Sequence, residues 1–190
     1  MFGREGSLWK LKRAAKSGNC EAAFEVGACY LNGIGTDKDI DKAVEFFKMG
    51  AEKGSPGAAL TLGDMLEHGF MNNDGQRVTD FDAAFQLFKI ASDGGLAAGT
   101  YRMGLMYRDG KGVPQDMAAA LTFITDAACR GFDQAQMALF YMYRDGCGTD
   151  RDMGKAVEYV KMAAEKGNEE AISKLEDLSF KDGDDVENEK

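Results

Sequence analysis

Apolar residues recur along this chain at three- and four-residue steps, in short blocks that end on glycine. In the first full block Ala22, Val26 and Tyr30 make an i, i+4, i+8 stripe. In the next, Ala43, Val44, Phe47 and Ala51 make a second stripe that stops at Gly54. This period predicts two amphipathic helices, about 20–32 and 40–53. The chain then writes the same pair three more times. Gly27-x-x-Tyr30-x-x-Gly33 recurs as Gly63-x-x-Leu66-x-x-Gly69, Gly104-x-x-Tyr107-x-x-Gly110 and Phe140-x-x-Tyr143-x-x-Gly146. Ala43, Ala84, Ala120 and Ala156 each open the second run of a pair, and Gly54, Gly95, Gly131 and Gly167 close it. The first step is 41 residues and the next two are 36 each. Fixed periods of this size predict a solenoid, because no single unit can bury its apolar face alone.

The punctuation refines this picture. Gly27 stands inside a predicted helix, where glycine costs about 1 kcal/mol relative to alanine. Its recurrence at Gly63 and Gly104 implies close approach of a neighbouring helix. Phe140 at the same place in repeat four predicts either a wider helix spacing or a ring turned outward. Asp39 or Asp41 is placed to cap the second helix of repeat one. The five extra residues of repeat two fall in 70–80, read as a loop with a turn at Asn73-Asp74-Gly75. This is not a calcium loop, since Phe70 would occupy the first ligand position. Residues 8–17 predict an N-terminal capping helix, with Leu8, Leu11 and Ala15 inward and Trp9 covering the end of repeat one. Residues 169–180 predict a C-terminal cap, with Ala171, Leu175 and Leu178 inward. The domain expectation is one solenoid over 1–181, with repeats at about 20–54, 55–95, 96–131 and 132–167. An acidic tail over 182–190 has too little apolar surface to order itself.

Composition narrows the class. The 190 residues carry a formal charge of −9, unevenly spread. Residues 1–16 hold five bases and one acid, whereas 182–190 hold five acids and one lysine. An acidic body argues against nonspecific nucleic-acid binding. No apolar run approaches the roughly 18 residues of a membrane span, so no membrane insertion is expected. The start lacks the pattern of a secretory signal, which points to a cytoplasmic location. Cys20 and Cys29 would lie along one helix, roughly 13 Å apart by the helical rise. That is too far for a disulfide. With Cys129 and Cys147 they read as buried or half-buried free thiols. His68 is the single histidine and no C-x-x-C occurs, so no zinc site and no cofactor is expected.

These residues resemble a known family. Ala22-x-x-x-Val26-Gly27-x-x-Tyr30-x-x-Gly33-x-Gly35, followed by Lys42-Ala43, is similar to the Sel-1-like repeat. So are Gly110-Lys111-Gly112-Val113, and Lys155-Ala156 running on to Ala163-Ala164-x-x-Gly167. The resemblance covers about 20–167. It implies an all-α fold: a right-handed α/α superhelix of four helical hairpins, akin to tetratricopeptide arrays. It implies an adaptor that holds partner proteins or peptides on a concave face, and it brings no shared catalytic motif. A secreted, cysteine-rich branch of the family carries a cysteine pair in every repeat. That pattern is missing here.

The remaining candidate chemistry is thin. Gly33-x-Gly35, Gly110-x-Gly112 and Gly146-x-Gly148 follow helices and lack the Gly-Lys-Ser/Thr of a phosphate loop, so they read as inter-helix turns. No nucleophile–base constellation is present, and the chain is read as no enzyme. By analogy with the family, the first helix of each repeat lines the concave groove. The register then selects Phe24, Asp64, Glu67, His68, Tyr101, Arg102, Arg108, Tyr141 and Arg144 as the partner-binding set. Arg102, Arg108 and Arg144 would form a basic patch facing Asp64 and Glu67 across the groove, suited to a partner's carboxylate. The alternative for each aromatic is packing between adjacent first helices. For Arg108-Asp109 and Arg144-Asp145 it is a helix-end role. The function expected is a non-catalytic protein- or peptide-binding adaptor. The alternative is an acidic inhibitor or immunity-type protein that blocks a basic enzyme.

Overall fold

The computed structural model describes residues 5–184, with side-chain surroundings for residues 8–178. The described residues form α1 (Glu5–Lys16), α2 (Cys20–Asn32), α3 (Ile40–Glu52), α4 (Pro56–His68), α5 (Phe81–Asp93), α6 (Ala97–Asp109), α7 (Met117–Cys129), α8 (Asp133–Asp145), α9 (Met153–Glu165) and α10 (Glu169–Asp184). Two short strands, β1 (Phe70–Met71) and β2 (Arg77–Val78), stand between α4 and α5. The chain divides into two compact units, Met1–Gln115 and Asp116–Lys190. The first holds α1 to α6 and the ribbon. The second holds α7 to α10.

Seven of the described helices start where a side chain takes up an orphan amide; α6 and α8, after Leu96 and Phe132, have no side-chain cap. Asn19, Asp39, Ser55, Asp80, Asp116, Asp152 and Asn168 accept from backbone N–H groups two or three residues ahead. Of the two candidates at α3, Asp39 is therefore the cap. Gly33, Gly110 and Gly146 end first helices in the left-handed region and return their N–H to Cys29, Met106 and Met142. The hairpins are closed by a second backbone bond. The amide of Asp39 donates to Tyr30 O at 3.0 Å, and that of Asp152 to Tyr143 O at 2.9 Å.

The repeated lysine and tyrosine belong to this closure. Lys42 Nζ lies 2.7 Å from the Asp39 carboxylate and 5.5 Å from the Tyr30 ring centre. Lys155 repeats this over Tyr143, at 5.1 Å, beside Asp152. The ring beneath is stacked on one from the second helix, Tyr30 on Phe46 and Tyr143 on Tyr159, both at 5.8 Å. Cap, cation and ring pair thus join the two helices of a hairpin at its loop end.

The helix glycines have a direct steric cause. A Cβ on Gly27 would lie 2.6 Å from the Phe47 ring, and one on Gly63 would lie 2.7 Å from the Phe88 ring. Both rings are fully buried. Repeat four inverts the pair: Phe140 replaces the glycine and Val160 takes the register position of Phe47. Both are buried in one cluster with Met137, Ala156 and Ala163. The outward ring expected as one outcome at Phe140 is therefore incorrect, because a smaller facing side chain makes room inside.

The second glycine of each turn is also steric. A Cβ on Gly112 would meet Phe81 O at 2.4 Å, and one on Gly148 would meet Met117 at 3.0 Å. Each turn thus lies on the start of the preceding repeat's second helix. In repeat two the longer segment does the same work differently. The expected loop is a short antiparallel ribbon, with Phe70 opposite Val78 and Met71 opposite Arg77, closed by the turn at Asn73-Asp74-Gly75. Asn73 then bonds the start of α3: its side chain accepts from Ile40 N and donates to Asp39, and its amide donates to Asp41.

The inward stripes of α1, α2, α3 and α10 lie as expected, with Phe46 added to that of α3. Other expectations fail. Trp9 is 61% exposed and covers nothing, since Leu8 and Leu11 take the inward face of α1. Cys129 and Cys147 are exposed, while Cys20 and Cys29 are half-buried. α10 runs on to Asp184, past the expected end at 180. The rest of the acidic segment lies outside the described residues.

Three outcomes follow. Gly27→Phe should overpack the hairpin and lower urea stability by about 1–3 kcal/mol or more. Adding Phe47→Val, which copies the repeat-four pair, should recover part of that loss, a coupling measured by a double-mutant cycle. Asn73→Ala should speed hydrogen exchange at the Ile40 amide and leave amides of α5 unchanged. The Asp39 carboxyl is held below the usual carboxylate range by hydrogen bonds from the Lys42 side chain, the Lys42 amide and Asn73. Its contribution is present above the unfolded value and is lost as pH falls through the folded one. The stability margin of the parent over Asp39→Asn should therefore be constant above about pH 5 and shrink on acidification.

Candidate functional site

α4 places Asp64, Glu67 and His68 at i, i+3 and i+4, so the three share one face of the helix. α6 brings Arg102 to that face. Its Nη2 lies 2.7 Å from Asp64 Oδ1, 2.9 Å from Glu67 Oε2 and 3.3 Å from His68 Nδ1. Beneath, the guanidinium sits over the Phe88 ring at 5.3 Å. From the turn after α6, Lys111 reaches Glu67 at 3.5 Å and Asp109 at 3.9 Å. Arg108 is paired with Asp109 through two hydrogen bonds of 2.7 and 3.2 Å. Arg77 of the ribbon donates to His68 O at 2.9 Å and borders the cluster.

Burial decides what these contacts mean. The Glu67 side chain is 7% exposed and that of Arg102 is 19% exposed. Exposed ion pairs contribute about 0–1 kcal/mol. Losing one partner of a buried pair costs about 3–5 kcal/mol, because the other charge is left uncompensated. Arg102 holds two carboxylates at once; without it the buried Glu67 keeps only Lys111, while Asp64, 45% exposed, is left to solvent. Burial pushes the Asp64 carboxyl up, against the opposing pull of Arg102. Asp109 is held low by its bonds from Arg108. Burial raises the Tyr101 hydroxyl. Donor atoms of Asp64, Glu67 and His68 come within 4.8 Å of one another, a spacing that could hold a metal ion. A single histidine and no C-x-x-C gave no sign of this trio in the sequence. Arg102 lies against both carboxylates and Lys111 against Glu67, so the trio is part of an ion-pair cluster.

The structure brings together five of the nine predicted residues: Asp64, Glu67, His68 and Arg102 in the cluster, and Arg108 beside it through Asp109 and Lys111. Their contacts differ from the expected ones. Arg102 does not face Asp64 and Glu67 across an open groove; it contacts them from the neighbouring first helix. Arg108 is neutralised by Asp109, and Arg144 by Asp145 at 2.7 Å. Each of these arginines is therefore already paired with a carboxylate of its own unit. Phe24 takes the packing alternative: its ring lies 5.9 Å from that of Phe47, and Gly57 of α4 closes on it. In the second unit Arg144 lies over the Tyr141 ring at 4.8 Å, and the Tyr141 hydroxyl donates to Glu170 of α10. Lys111, Arg77 and Glu170 were not predicted. Lys111 and Arg77 sit in segments read as turn and loop. Glu170 had a signal, since it repeats the register of Glu21.

Comparison with known proteins places this geometry. The Sel1 repeat family model matches residues 20–55, 56–96, 97–132 and 133–168, one residue beyond the period read from the sequence. A solved structure of c5321, a protective antigen of uropathogenic Escherichia coli with an SLR fold, superposes with a TM-score of 0.78 at 33% identity, covering 88% of this chain and 35% of that one. The chitin synthase regulator SKT5 of Saccharomyces cerevisiae is 30% identical over 99 residues, which are 51% of this chain and 14% of that protein. Cytochrome c oxidase assembly factor 7 of Mus musculus is 32% identical over 108 residues, 53% of this chain and 45% of that protein. The chain therefore spans less than half the length of either curated relative. Four matched repeats, each with its cap, its glycine or the exchanged ring, and its closing turn, make this chain a member of the Sel1 repeat family.

Proposed function

We propose that this chain is a non-catalytic interaction module that holds a protein or peptide on the face built by α2, α4 and α6. Sel1 repeat proteins are generally protein-interaction adaptors, and the relatives above are named as a regulator and an assembly factor. No helix among the described residues is long and apolar enough to cross a membrane.

One observation carries the reading: the cluster around Arg102 is immobilised before any partner arrives. Asp64, Glu67 and Phe88 fix the guanidinium, and the Arg108–Asp109 pair and Lys111 continue the row. A side chain held in advance loses less entropy on binding. Because acids and bases alternate along the row, it offers donors and acceptors with little net charge. That favours a polar, extended segment over a carboxylate-rich one.

A photo-crosslinking residue at His68 or Thr61 should trap a polypeptide partner in the native cell, and the same residue at Glu45 on α3 should not. Trapping from Glu45 alone would defeat the assignment. Arg108→Ala, at an exposed position, should change stability by no more than about 0.5 kcal/mol. It should weaken capture of the trapped partner by roughly tenfold or more, as at a binding hot spot. Unchanged affinity would remove Arg108 from the surface.

A further inference from the structure

The outer face of α1 holds none of the residues of the Arg102 row and carries the most exposed of the large apolar side chains described. The inward side chains, Leu8, Leu11, Ala14 and Ala15, pack against the core of the first unit. The opposite side carries Trp9, Lys12, Arg13 and Lys16 at i, i+3, i+4 and i+7, one continuous stripe. Trp9 is 61% exposed, the largest value among the exposed large apolar side chains described. The Arg13 guanidinium lies 5.7 Å from its ring, while Lys12, on the flank of the stripe, lies 4.7 Å from the Tyr30 ring of α2. Residues 1–16 carry +4 within a chain of −9. Tryptophan and arginine are the residue types most enriched where interfaces concentrate their energy.

The geometry points to a second docking surface: the Trp9–Lys12–Arg13–Lys16 stripe of α1 takes an acidic segment of a protein partner. Charge complementarity selects an anionic occupant. The apolar supply selects a polypeptide over a bilayer. A membrane-surface helix buries a broad apolar face, whereas the leucines of α1 are committed to the core and its outer face offers one large apolar group. An acidic peptide needs only that anchor and the row of cations around it. Such a contact is steered electrostatically and weakens with salt.

Trp9 is the single tryptophan of the chain, so its emission reports on this surface alone. The probe is a short synthetic peptide of glutamates interspersed with leucines, titrated into the full chain. A saturable blue shift is expected, abolished in high salt and absent with a lysine-for-glutamate version of the peptide. Arg13→Glu with Lys16→Glu, both exposed, should weaken binding by at least about tenfold. Lys48→Glu with Lys89→Glu, exposed positions on α3 and α5 with the same change in net charge, should not. A flat titration would overturn the proposal, and so would equal weakening by the two double variants. A stronger response to phosphatidylserine-containing vesicles than to the peptide would assign the stripe to a membrane. A shift produced by raising the protein concentration alone would assign it to a second copy's acidic segment. The salt arm uses the unmodified chain, so it decides the matter even if a variant folds poorly. Photo-crosslinking from α4 is independent of all these readouts.

Discussion

Everything in this fold depends on how closely two helices of a hairpin can approach. In repeats one and two the answer is an aromatic ring laid on a glycine, Phe47 on Gly27 and Phe88 on Gly63. The glycine forgoes about 1 kcal/mol of helix propensity. In return a whole ring is buried against backbone, a gain of about 1.5–3 kcal/mol before conformational costs. Repeat four solves the same volume constraint from the other side, with Phe140 facing Val160. What repeats one, two and four share is therefore a volume to be filled, and two residues can divide it in either order.

Once that approach is set, the loop end of the hairpin follows. The cap carboxylate, the lysine above the tyrosine and the stacked pair below it sit at fixed register, seen at Asp39–Lys42–Tyr30–Phe46 and again at Asp152–Lys155–Tyr143–Tyr159. Turns then pack on the helix before them, through Gly112 on Phe81 and Gly148 on Met117. The ribbon of repeat two keeps this contact with Asn73 in place of a bare glycine. An insertion is tolerated because polar bonds to Asp39, Ile40 and Asp41 substitute for steric closeness.

The charged surface obeys a local rule. Arg108 and Arg144 are satisfied by the aspartate next in sequence, and Arg102 by two carboxylates one helix away. Neutralisation at short range leaves the first-helix face rich in directed hydrogen-bonding groups but nearly balanced in charge. α1 is the exception, since its outer cations share their face with an exposed indole. Two surfaces of different character therefore arise on one unit, one balanced and one basic.

Period and punctuation were enough to establish the helical hairpins, their number and the inward stripes of α2 and, Phe46 apart, of α3. Each of these follows from spacing along one helix, or from a cap that acts on its own backbone. Fates that depend on a second helix were beyond that reach. The sequence marks Phe140 as a departure, but only the facing Val160 decides that its ring turns inward. It lists Arg102, Asp64 and Glu67 as neighbours on a face, yet direct contact between them depends on the stagger of α4 against α6. Trp9 has the same character: helical spacing puts Leu8 on the inward face, but the exposure of the indole depends on what packs beside α1. Short-range geometry is encoded residue by residue. The partition of volume and charge between neighbouring elements is settled only when they pack, because each side chain's environment is then supplied by residues dozens of positions away.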